Sequence, residues 1–95
     1  MFVVIGVWEH DPALREIQQQ GLQDLAAGVG QAPGIVKGYW AASAADPSRS
    51  HTFIVFADRE SAEAFASDVR GNVENQARAG VRNISLDLAE VSATT

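Results

Sequence analysis

The stretch GIVKGYWAASAADPSRSHTFIVFADRESAEAF, residues 34–65, decides how the chain folds. It opens with IVKGYWAAS (35–43), where β-branched and aromatic residues mix with small ones. It continues to HTFIVFA (51–57), which is almost wholly apolar. Such residues suit a pleated, half-buried backbone, and both runs are too short for a helix. Between them AADPSRS (44–50) gathers turn formers around Asp46-Pro47. The spacing predicts a β-hairpin. Asp58 then precedes RESAEAFASDV, in which Ala62, Phe65, Ala66, Val69 and Val73 recur on one helical face. A helix is expected over about 59–70, with a break at Arg70-Gly71-Asn72 and a second piece reaching about 79.

Working outward, FVVIGVW (2–8) reads as a first strand. Asp11-Pro12 supplies a cap and a first-turn proline. Leu14, Ile17, Gly21, Leu25 and Gly28 then follow at helical spacing, so a helix is expected over 12–29. Gly30 and Pro33-Gly34 end it. At the far end VRNISLDLAEV (81–91) alternates, with Ile84, Leu86 and Leu88 on one side and Asn83, Ser85 and Asp87 on the other. That is a last strand. The order βαββαβ is the ferredoxin-like α+β plan: a four-stranded antiparallel sheet with two helices on one face. Residues 1–95 are expected to form one domain.

The two apolar strands carry a second message. Phe2/Val4 and Val3/Ile5 point to opposite faces, as do Ile54/Phe56 and Phe53/Val55. A strand apolar on both sides is expected to be covered on both sides. The helices cover one. A second copy of the same sheet is the simplest cover for the other, so a homodimer with sheets packed face to face is expected. A chain of 95 residues buries only about 60–65% of its unfolded surface. Pairing would add to a modest core.

Composition excludes several function classes. Net charge is −5 and the seven Lys and Arg are scattered, which argues against nucleic acid and anionic membranes. There is no cysteine, so disulfides, thiol nucleophiles and Cys-type zinc sites are ruled out. No segment approaches the ~20 apolar residues of a membrane span, and the N-terminus reads as a strand rather than a signal peptide. A cytoplasmic location is the expectation. GVGQAPG (28–34) follows a helix and has the wrong spacing for a dinucleotide loop. The serines lack a Gly-x-Ser-x-Gly elbow. His10 and His51 lie too far apart in sequence to form a metal motif, and no metal or cofactor is expected.

The layout, with APGIVKGYW and HTFIVFADRESAEAF, resembles the dimeric α/β-barrel superfamily, and within it the antibiotic-biosynthesis-monooxygenase-like proteins. It also looks like small actinobacterial members of that superfamily with no assigned activity. The resemblance implies the ferredoxin-like fold and a dimer. It leaves activity open, because the superfamily holds cofactor-independent oxygenases, haem-degrading enzymes, isomerases and proteins without known activity. The haem-degrading branch needs an Asn on strand 1, a Trp in helix 2 and a His about ten residues later. Here those places hold Gly6 or Val7, Asp68 and Arg78, so haem degradation is rejected.

Candidate site residues follow from topology. The ends of strands 1 and 2 and the start of strand 3 should share one rim, bringing Trp8, His10, Trp40 and His51 together. Either His could serve as a general base. Tyr39 and Trp40 must point to opposite faces of their strand, so at most one reaches a given pocket. Gly21 and Gly28 leave room on the inward side of the first helix. Gln18, Asn72 and Gln76 could orient a ligand and Phe65 could wall it. Each also has a plain packing role: the glycines permit close approach and Gln76 caps a chain end. Three functions remain open: a dimer that binds a small, flat ligand in a helix–sheet cavity; a cofactor-independent monooxygenase; and a structural or stress-associated dimer.

Overall fold

The computed structural model describes residues 1–95. Strand β1 (Phe2–His10) leads through a 3-10 turn (Pro12–Leu14) into helix α1 (Arg15–Val29). Strands β2 (Ile35–Ala42) and β3 (Arg49–Phe56) form the hairpin. Helix α2 (Arg59–Arg70), a short helix α3 (Val73–Arg78) and strand β4 (Val81–Glu90) complete the chain. The sheet order is β2-β3-β1-β4, antiparallel throughout, which is the expected ferredoxin-like arrangement.

The first helix differs slightly from the periodicity. Asp11 accepts the Ala13 N–H at 2.9 Å and Pro12 opens the turn, so Pro12–Leu14 winds tightly before α1 begins. Asp58 caps α2 by accepting the Ser61 N–H at 2.8 Å. This satisfies one of the amides that a helix start leaves without a partner. The carboxyl of Asp58 is held below the ordinary carboxylate range by the backbone and hydroxyl hydrogen bonds from Ser61.

Register sorts every strand residue onto one of two faces. Val4 pairs with Ile54 and Leu88, and Phe2 with Phe56. These side chains face the helices. The buried core is Val4, Ile54, Phe56, Ala62 and Ala66, and the rings of Phe56 and Phe65 meet at 5.2 Å between centroids. Val3, Ile5 and Val7 pair with Val55, Phe53 and His51 on the other face. Tyr39 joins them opposite Phe53, and no helix lies over that side; Tyr39 is 52% exposed and Phe53 40%.

Two expectations about individual residues are corrected. Val73 does not extend the apolar face of α2. Gly71-Asn72 stops that helix, Val73 opens α3 instead, and Val73 is 61% exposed. Ile84 does not join Leu86 and Leu88 in packing. Val7 pairs with Ser85 while Trp8 pairs with Asn83, so Ile84 is the extra residue of a bulge. The Asn83 amide fastens that bulge by donating to the carbonyls of Val7 and Ser85.

Candidate functional site

Helix α1 has no buried residue. Its apolar side chains Ile17, Leu22 and Leu25 are all more than 40% exposed, yet they turn toward the sheet. Between them and the sheet lies an open cleft of about 870 Å³. Its walls are apolar and aromatic: Trp8, Trp40, Ile54 and Leu86 from the sheet, Phe65 and Val69 from α2, and Leu22 and Leu25 from α1. This volume is within the range that holds a small organic molecule.

The two tryptophans occupy the cleft by the same local device. Gly6 stands two residues before Trp8, and Gly38 two residues before Trp40, so each pair shares one strand face. Each ring folds back over its glycine. A Cβ on Gly6 would lie 2.5 Å from the Trp8 indole nitrogen, and one on Gly38 would lie 2.9 Å from the Trp40 ring. Only glycine lets the rings lie down against the sheet. The Trp8 Nε1–H is satisfied by the Thr52 hydroxyl at 3.0 Å. The repeated Gly-x-Trp of GVW (6–8) and GYW (38–40) was therefore a readable signal that the strand assignment alone passed over.

A polar group stands on the lip of the cleft. His10 Nε2 lies 2.6 Å from Ser50 Oγ across the β1–β3 edge. Gln18 approaches from α1. Its amide nitrogen donates to the Ala79 carbonyl at 2.9 Å and the Asp11 carbonyl at 3.1 Å, so both N–H bonds are committed. Burial pushes the His10 pKa below the ordinary histidine value, and the neighbouring Gln18 side chain pulls the other way. Ser50 is the side-chain hydrogen-bond partner of the imidazole, and which of the two donates follows the tautomer. His10 also borders a second hollow with Glu9, Asp11, Pro12, Ser48, Gly80 and Arg82.

Trp8, His10, Gln18, Trp40, Phe65, Asn72 and Gln76 all line the one cleft. The structure does not bring His51 or Tyr39 there. His51 pairs with Val7 and Ala41 on the helix-free face, so strand alternation separates it from His10. Tyr39 lies on that same outer face, with the Lys37 ammonium 5.5 Å from its ring centroid. The expected rim cluster of two histidines is thus corrected to a single histidine. The amides serve the chain as well as the cleft. Gln76 donates to the Val69 carbonyl at 2.9 Å across the α2–α3 break, and Asn72 accepts from Asn75 at 2.7 Å. Gly21 lines the cleft with open space before it; Gly28 also has open space but is not on the lining. Ser50 and Thr52 were missed, because a small hydroxyl residue in a strand has no signature until register puts it opposite a histidine or an indole.

No family model matches the chain, and no curated protein matches it in sequence. Solved structures do match in shape. A protein from Deinococcus radiodurans, described as an antibiotic biosynthesis monooxygenase, superposes with TM-score 0.82 over 100% of this chain and 96% of that one, at 11% identity. SnoaB from Streptomyces nogalater, described as a cofactor-independent oxygenase, matches with TM-score 0.74 over 98% and 94%, at 16% identity. A protein from Nitrosomonas europaea, described like the first, matches with TM-score 0.77 over 98% and 100%, at 15% identity. The chain has the fold of antibiotic-biosynthesis-monooxygenase proteins. Identities this low carry the fold and no closer kinship, actinobacterial or other. No helix is long and apolar enough to cross a membrane.

Proposed function

We propose that the α1–sheet cleft takes up a flat, largely apolar ring compound and that molecular oxygen oxidises it there without a cofactor. The observation that carries this reading is the pairing of two tryptophan walls with one neutral-leaning histidine on the lip of the same cleft. Rings stack on rings, and an imidazole that sheds its proton easily is a base ready at neutral pH. The likeness to SnoaB supports the reaction type. A substrate CH₂ next to a carbonyl or phenol loses a proton to His10. The carbanion gives its electrons to O₂ and a C–O bond forms. The hydroperoxide then loses water to leave a carbonyl. The substrate loses two hydrogens and gains one oxygen, and the second oxygen leaves in the water. An oxygen electrode with an anthrone-type substrate tests this. Uptake that falls about 100-fold or more in His10→Gln is expected for loss of a general base. Tryptophan quenching by the compound without oxygen uptake would leave a binding protein and no oxygenase.

The outer sheet face is assigned to a second copy of the chain. Val3, Ile5, Val7, Phe53 and Val55 make it apolar, while Glu9 with Arg49 and Arg82 borders one end. Four strands about 4.8 Å apart and some eight residues long present roughly 500 Å² in projection. Side-chain relief brings this near the ~800 Å² of accessible surface per partner that stable pairs bury.

A further inference from the structure

Ser50 is not explained by packing or by oxygenation. Its hydroxyl sits 2.6 Å from His10 Nε2 on the lip of the cleft. A hydroxyl nucleophile within hydrogen-bond reach of an imidazole base is the pairing that activates a serine, whatever fold carries it. We propose that Ser50 is an activated nucleophile that accepts acyl groups from small aryl esters whose ring is seated between Trp8 and Trp40.

The chemistry closes. Ser50 Oγ attacks the ester carbonyl carbon and passes its proton to His10 Nε2. The carbon–aryloxide bond breaks, and the leaving phenoxide takes that proton. Water then attacks the acyl-serine with His10 again as base. The carboxylic acid leaves and the Ser50 hydroxyl is restored. The net change is ester plus water to acid plus phenol. Thr52 lies two residues along the same face of β3 and accepts the Trp8 indole N–H. Its own proton is free for the carbonyl oxygen as charge develops there. The other serine hydroxyls with side-chain partners are differently placed. Ser48 and Ser61 bond to the carboxylates of Asp46 and Asp58, neither of which is a base of useful strength.

The test uses the full chain and an aryl-bearing fluorophosphonate, read by intact mass and then by peptide sequencing. One adduct is expected, on Ser50, and it is absent from Ser50→Ala. His10→Gln, which keeps a polar partner but no base, is expected to label about 100-fold more slowly. Labelling should rise with pH through the lowered His10 pKa. No adduct at Ser50, equal labelling in His10→Gln, or adducts shared with Ser48 and Ser61 would each overturn the proposal. Labelling and ester hydrolysis are run without oxygen. Failure here therefore leaves the oxygenase reading standing, and failure of oxygen uptake leaves this one.

Discussion

Replacing Phe53 with Asp is the sharpest probe of the helix-free sheet face. Phe53 pairs with Ile5 and Tyr39 at the centre of that face and is 40% exposed. An aromatic side chain presents roughly 200 Å², so about 80 Å² remains to be covered by a partner. At about 25 cal/mol per Å² this contributes about 2 kcal/mol per copy. In a two-fold pair the patch occurs twice, giving about 4 kcal/mol per dimer. Every 1.4 kcal/mol is tenfold in Kd, so dissociation should strengthen about a thousandfold. This is a lower bound, because the buried carboxylate adds a desolvation cost. The rotational and translational cost of association is common to both proteins and cancels in the difference. Sedimentation velocity over a wide concentration range reads the constant, and circular dichroism checks that the monomer stays folded. A wild-type chain that is monomeric throughout, or a variant within tenfold of the wild type, would refute the reasoning.

Two further outcomes are expected. Gly6→Ala would place a methyl 2.5 Å from the Trp8 nitrogen and 2.6 Å from the Thr52 oxygen, so it should destabilise by about 1–3 kcal/mol and shift Trp8 fluorescence; an unchanged urea midpoint would count against the stacked ring. The pH dependence of stability should carry a His10 step. Its folded pKa is depressed, so below about pH 6.5 the unfolded chain binds the proton first and stability falls until the folded pKa is passed. Asp46 and Asp58 add a second, more acidic fall, since their folded pKa values are depressed and their stabilisation is lost below the usual carboxylate range. A midpoint flat from pH 7 to the folded His10 pKa would exclude the first step.

Periodicity made the fold readable because each element has one dominant pattern. The β2–β3 hairpin follows from Asp46-Pro47 between two β-branched runs, and the α2–α3 break from Gly71-Asn72. What resisted reading depends on register. Whether Tyr39 or Trp40 faces the helices turns on the bulge at Val36, where Ile35 pairs with Phe56 but Lys37 pairs with Val55. A single inserted residue exchanges the two faces from there on. Ile84 escaped for the same reason in β4. Position along the strand groups His51 with His10, whereas its face is set by pairing with Val7. The place of Gln18 beside the apolar side of α1 suggests a ligand contact. Its partners, Asp11 and Ala79, lie 7 and 61 residues away, and no local pattern points to the second.

Alternation in β2 and β3 also separates the two proposed roles of the sheet. Trp40 and Thr52 are opposite each other on the cleft face, and their neighbours Tyr39 and Phe53 are opposite each other on the outer face. One residue's difference in sequence moves a side chain through the sheet. The two faces are joined only by backbone: β3 is paired on both edges, to β2 and to β1, and β2 is held along one edge by β3. The dimer contacts proposed at Phe53 and the ligand contacts proposed at Trp40 would therefore share the strand ladder while lying on opposite faces of it. Helix α1 is the element free to respond: without buried residues it can settle onto whatever fills the cleft, and closing it requires no change on the outer face. On this architecture a ligand should tighten α1 and leave the dimer constant unchanged, whereas a ligand that altered that constant would have to move the sheet itself.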